Sequence, residues 1–216
     1  MITISIKNQK VSFQQAIDKQ FAILKIMEKH GIITHIRTKK NKYIEISEIS
    51  KDYLKKVLAK KIKIDLEDPN DLNSSRIGYN LWLPIRCFGK SGGLSIRFGT
   101  PKISGKDNIS LREPNTLLSE NYNEMVLKYH KMLIELIPLV NPIKVLCFDY
   151  YLRNILDDNE FEYGFIIYNK GNKLKRLANN KNIKLEKLKN GYIWKSDFSS
   201  YENGIASVVK AWSTTS

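Results

Sequence analysis

From Ile77 to Ile85 every second residue is apolar (Ile77, Tyr79, Leu81, Leu83, Ile85), which gives an extended strand one apolar face. Leu94, Ile96 and Phe98 repeat the alternation after the glycine-rich turn Phe88-Gly-Lys-Ser-Gly-Gly93, with Ser95 and Arg97 facing the other way. A third short alternation, Ile109 and Leu111, closes at Pro114. Three such strands joined by short turns predict an antiparallel meander. Its apolar face must be covered, and the segments on either side have helical periodicity suited to that.

Ser12 and Gln15 form a capping box ahead of an apolar stripe at Phe13, Ile17, Phe21, Leu24 and Met27, so a helix is expected up to Gly31. Ile32 to Arg37 reads as a strand, with Tyr43 to Ile46 as its hairpin partner across the basic turn Lys39 to Lys42. A second helix is expected from Ser47 or Ser50, with Ile49, Tyr53 and Val57 inward. The strongest helix pattern runs from Leu118 to Val140 and stops at Asn141-Pro142. Ile143 to Phe148 then reads as a strand buried on both faces, and Tyr163 to Tyr168 as another. Lys173 to Ala178 suits one or two helical turns. Ile183 to Leu188 and Tyr192 to Lys195 make a hairpin with Asn190-Gly191 as its turn. Ser199 and Glu202 look like a second capping box, opening a last helix that carries Tyr201, Ile205, Val208, Val209 and Trp212. Met1 to Lys7 alternates like a strand and lacks the apolar core of a signal peptide. The expectation is an α+β fold: an antiparallel or mixed sheet with helices packed on it. No internal repeat or long linker divides the chain, so one domain over residues 1–216 is expected.

Charge changes this picture less than its size suggests. The net charge is +14, but residues 64–169 carry 11 basic and 14 acidic side chains, so the surplus sits at the two ends. There are 29 Lys against 7 Arg, beside 28 Ile and 19 Asn, a composition that AT-rich coding produces unaided. Arginine is the usual bidentate phosphate and base reader, so its scarcity weakens a nucleic-acid reading. Two cysteines, Cys87 and Cys147, both in strand-like runs, suggest buried free thiols and a reducing cytoplasm. No apolar run approaches the roughly 18 residues of a membrane span.

A search for chemistry returns little. Gly89-Lys90-Ser91 looks like the end of a phosphate-binding loop, but Pro84 stands where the loop's first glycine belongs. His30, His35 and His130 have no metal-ligand spacing, and neither cysteine belongs to a Cys-x-x-Cys pair. No lysine has Asp or Glu two residues before it, which removes the common signature of restriction-type nucleases. Acidic clusters lie at Asp65, Glu67, Asp68 and Asp71 and at Asp157, Asp158, Glu160 and Glu162, without the EF-hand pattern. No catalytic residue, cofactor or metal is expected.

The order of segments resembles the immunity protein 52 family. The resemblance is carried by the Ser12 to Met27 helix, Gly78 with Leu81 and Leu83, Leu94, Ile96 and Gly99, and Asn108 to Pro114. It continues through Gly164 to Tyr168, Leu177, Leu188, Gly191 and the Ser199 to Trp212 helix. It implies a cytoplasmic, non-enzymatic protein that binds and neutralises a bacterial toxin, often of the nuclease type. Inhibitors of nucleases are commonly acidic, and this chain departs from that at +14. Against a basic toxin surface the acidic middle would dock, and Asp157, Asp158, Glu160 and Glu162 beside Tyr150 and Tyr151 are the expected contact residues. The alternative function is a basic nucleic-acid-binding protein that uses Tyr43, Tyr192 and Trp194 as stacking surfaces.

Overall fold

A computed structural model describes residues 1–6, 9–38, 42–65, 78–100, 107–113, 117–156, 163–171, 181 and 183–213. The strands are β1 (Ile2–Ile6), β2 (Ile33–Arg37), β3 (Tyr43–Glu45), β4 (Tyr79–Cys87), β5 (Lys90–Phe98), β6 (Asp107–Arg112), β7 (Pro142–Cys147), β8 (Ile166–Lys170), β9 (Lys184–Leu188) and β10 (Gly191–Lys195). The helices are α1 (Phe13–Lys29), α2 (Lys51–Asp65), α3 (Leu117–Glu120), α4 (Tyr122–Val140), α5 (Tyr150–Leu156) and α6 (Tyr201–Ser213). The expected α+β fold is the one observed. The ten strands form one antiparallel sheet in the order β3-β2-β4-β5-β6-β1-β7-β8-β10-β9.

The meander sits where the alternation put it. Leu83 pairs with Leu94, Leu81 with Ile96, and Leu94 in turn with Leu111. Its apolar side is fully covered by helices: Gln20 of α1 donates to Tyr79 O at 3.0 Å, Phe13 packs on Tyr79, and Tyr129 of α4 meets Phe88 edge-on. Pairing with both β6 and β7 places β1 centrally, and Ile2, Ile4 and Ile6 enter the core. Among the described residues, β3 and β9 stand at the two edges.

Local chemistry explains where elements begin and end. Ser12 Oγ accepts from Gln15 N and Gln15 Oε1 accepts from Ser12 N, so the first capping box is complete. Asn141 takes the left-handed conformation at φ 48° and its N–H reaches Ile137 O, ending α4 before Pro142. Phe88 and Gly89 both have positive φ, 48° and 77°, the geometry of a two-residue hairpin turn whose twist suits the strands it joins.

Several expectations need correction. Gly92 and Gly93 lie inside β5, because Phe88-Gly89 alone makes the turn; a Cβ at Gly92 would meet Arg112 O at 2.5 Å. The last hairpin turns at Lys189-Asn190, and Gly191 is the first residue of β10, where a Cβ would meet Asn169 O at 2.3 Å. The inward stripe of α2 is Leu54, Leu58 and Ile62, with Tyr53 and Val57 only partly buried. Ser200, not Ser199, caps α6, accepting from Asn203 N at 3.1 Å. β7 is not buried on both faces throughout, since Ile143 is 45% exposed. β8 begins at Ile166, with Tyr163 and Gly164 before it. The helical turns expected at Lys173 to Ala178 and the tip of the basic turn at 39–41 lie outside the described residues.

Cys87 and Cys147 are free and buried, and burial pushes each thiol up to about 12. Only the thiolate attacks, so the folded protein is expected to react with a chromogenic disulfide reagent no faster than it unfolds. Both sulfurs should titrate rapidly once denaturant is added. Rapid reaction of the folded protein would show that a thiol reaches solvent.

Candidate functional site

The helices cover one side of the sheet, so alternate residues of the central strands point away from them. Reading the register across gives rows on that second face. One row runs Trp82, Ser95, Ser110, Thr3, Leu146, Ile167, Trp194 and Leu185. The next runs Asn80, Arg97, Asn108, Ser5, Lys144, Asn169, Tyr192 and Lys187. Neighbouring members of a row are one strand spacing apart, about 4.8 Å. The two ends of the face differ. Leu146, Ile167 and Trp194 are buried, whereas Trp82 is 56% exposed on β4.

The open part forms a cavity of about 620 Å³, lined by Trp82, Ser95, Ser110, Thr3, Arg112 and Lys144 among others. Its floor is hydroxyl and amide because the strand positions opposite the core are Ser, Thr and Asn. The side chains of Thr3, Ser5, Ser110, Arg112 and Lys144 make no hydrogen bond or ion pair with the described residues. Arg97 Nε is buried and also has no partner. At the β2–β4 end, Arg86 lies over the Tyr43 ring at 4.3 Å, and the Tyr43 hydroxyl is 3.4 Å from Ser91 Oγ. Those two contacts, the Ser91 hydroxyl first, lower the Tyr43 pKa.

The charge on this face is one-sided. Arg37, Arg86, Arg97, Arg112, Lys144 and Lys187 lie on it, against one acidic residue among the described strand positions, Glu45. Glu113 follows β6 but turns to the helix side, where it pairs with the Met1 amino group, itself 2.7 Å from Phe148 O. The face can therefore receive an anionic, hydrogen-bond-accepting surface.

Of the expected contact residues, only Tyr150 and Tyr151 are described, and they lie on α5. Asp157, Asp158, Glu160 and Glu162 lie outside the described residues, as do Glu67, Asp68 and Asp71. Tyr150 and Tyr151 are 42% and 60% exposed on α5, whose start is capped by Asp149 Oδ1 accepting from Leu152 N at 2.7 Å. Tyr151 lines a shallow groove of about 720 Å³ with Tyr201, Glu202, Ile205 and Val209 of α6. The Tyr201 hydroxyl donates to buried Asp149, and burial followed by that carboxylate pushes its pKa well up. Trp194 is fully buried, so it offers no stacking surface.

The histidines are scattered. His30 caps α1 and contacts Glu135 at 3.0 Å, His35 contacts Thr34, and His130 lies 3.3 Å from Glu186 with its pKa lowered chiefly by burial. Among the described residues no group of three or more His, Cys, Asp or Glu is placed to hold a metal ion. No described helix is long and apolar enough to cross a membrane.

Two signals for the open face were present in the sequence and went unread: Trp82 at an outward strand position, and arginines at 86, 97 and 112 on outward positions of consecutive strands. No family model matches the chain. No curated protein matches it either.

Proposed function

We propose that the chain is an immunity protein that binds a cognate bacterial toxin and neutralises it by occluding its active site or substrate path. The observation that carries this reading is the open part of the sheet face around Trp82, which is exposed and stands among donors that have no partner among the described residues. The resemblance in segment order to the immunity protein 52 family points the same way. Two surfaces are available to the toxin: the open sheet face, and the exposed Tyr150 and Tyr151 of α5, which the acidic run Asp157, Asp158, Glu160 and Glu162 follows in sequence.

The test is co-expression. Cells producing the toxin encoded beside this chain should survive when the chain is present and die when it is absent. Failure to protect, together with affinity for DNA or RNA that falls steeply with salt, would replace this reading with the nucleic-acid one.

A further inference from the structure

We infer that the open face of the sheet is the docking surface, and that its partner is a protein presenting an acidic segment. This rests on the binding reading above and adds the partner's chemistry. The argument starts from arginine. The chain has 29 Lys and only 7 Arg, so a random surface patch should carry about four lysines for each arginine. The open face carries four arginines (Arg37, Arg86, Arg97, Arg112) and two lysines (Lys144, Lys187). Every arginine whose side chain is described lies there.

Background composition does not produce that inversion, whereas binding does. Protein interfaces are enriched in arginine and aromatic residues and depleted in lysine and glutamate. Their energetic centres are disproportionately Trp, Tyr and Arg. Trp82 is the large exposed aromatic of this face, and at 56% exposed it has no fold-stabilising reason to be a tryptophan. It stands beside Gly93, where a Cβ would come within 3.9 Å of the indole nitrogen.

Charge identifies the partner. Guanidinium groups match carboxylates in bidentate pairs, and the face offers them with one acidic residue in opposition. Thr3, Ser5 and Ser110 add donors that have no partner among the described residues. A partner segment rich in Asp or Glu satisfies all of these at once, with an apolar side chain resting on Trp82. The cavity's about 620 Å³ admits a few side chains rather than a whole domain, so the segment is a loop or strand laid across β4 to β7.

The experiment compares three variants with the wild type: Trp82→Ala, Arg86→Glu with Arg112→Glu, and Lys55→Glu with Lys56→Glu on the exposed side of α2. All change exposed residues, and circular dichroism checks that each folds. Fluorescence anisotropy with a labelled oligoglutamate peptide and with a labelled oligothymidylate of equal charge, at physiological salt, reads binding directly. Peptide affinity should fall about tenfold or more in both open-face variants and stay within about twofold in the α2 variant. Equal loss in the two charge-reversal pairs, with none in Trp82→Ala, would reduce the effect to net charge and overturn the proposal. Tighter oligothymidylate binding, lost through the same residues, would make the face a nucleic-acid site instead.

The protection assay separates this inference from the reading it rests on. If the wild type protects cells and both open-face variants protect equally well, the docking surface lies elsewhere. Loss of protection on reversing Asp157, Asp158, Glu160 and Glu162 to lysine would then place it beside α5. If the wild type protects nothing but the peptide result holds, the toxin reading fails and the acidic-segment site stands.

Discussion

Replacing Leu94 with alanine is expected to cost the fold about 3 kcal/mol, while replacing its neighbour Ser95 costs less than about 0.5 kcal/mol. Leu94 is fully buried on the helix side, between Leu83 of β4 and Leu111 of β6. Its truncation loses apolar burial and leaves a cavity in the middle of a sheet whose backbone cannot close in. Ser95 faces the opposite way and its only side-chain bond, to Asn80 Oδ1, is long at 3.3 Å. Urea denaturation of the two variants checks the contrast. Comparable losses at both positions would mean that this part of the sheet is covered on both sides.

The second large effect is expected at Gly204, in the first turns of α6. Alanine there should lower stability by about 2–3 kcal/mol, although in an exposed helix the same change gains about 1 kcal/mol. A Cβ on Gly204 would lie 2.0 Å from the Tyr122 hydroxyl oxygen and 2.5 Å from its Cζ. Tyr122 cannot step aside. Its hydroxyl donates to Asp197 O at 2.8 Å, and its ring meets Phe165 and Tyr201 edge-on at 5.1 and 5.7 Å. The added methyl therefore pushes α6 away from α4. Combining Gly204→Ala with Tyr122→Leu should cost less than the sum of the two single changes, because the second removes the obstacle. Thermal melts of the four proteins measure this; strict additivity would show that Tyr122 is not what the methyl strikes.

Much of this fold was written in periodicity. Tyr79, Leu81 and Leu83 could only be one face of a strand, and the run from Tyr122 to Val140 could only be a helix. Adjacent stripes were harder. On α2 both Ile49-Tyr53-Val57 and Leu54-Leu58-Ile62 fit helical spacing, and only packing against β4 decided for the second. Glycine was ambiguous for a different reason: Gly92 and Gly191 are needed for close backbone approach, and close approach leaves no mark on neighbouring residues. The open face was hard to read because outward strand positions are polar whether they meet water or another molecule. What distinguishes it is a pattern across strands: Arg86, Arg97 and Arg112 lie in three different rows, and only the register shows that they share one face. The acidic cluster at Asp157 to Glu162 drew notice because its charges are adjacent in sequence.

The position of β1 sets the order in which the protein can assemble. β2 to β6 form one continuous set of pairings and β7 to β10 another, and β1 is the strand that joins them. It is made about a hundred residues before either partner, which are Asp107 to Leu111 on one side and Pro142 to Cys147 on the other. Ile2, Ile4 and Ile6 must therefore wait, apolar and unpaired, while more than half of the chain is synthesised. Contacts this distant in sequence close slowly, so completion of the sheet is a late event in folding. Thr3 and Ser5, in the middle of the cavity floor, arrive with that strand. Completion of the open face and completion of the core are thus the same step, and a partly folded chain presents no finished face.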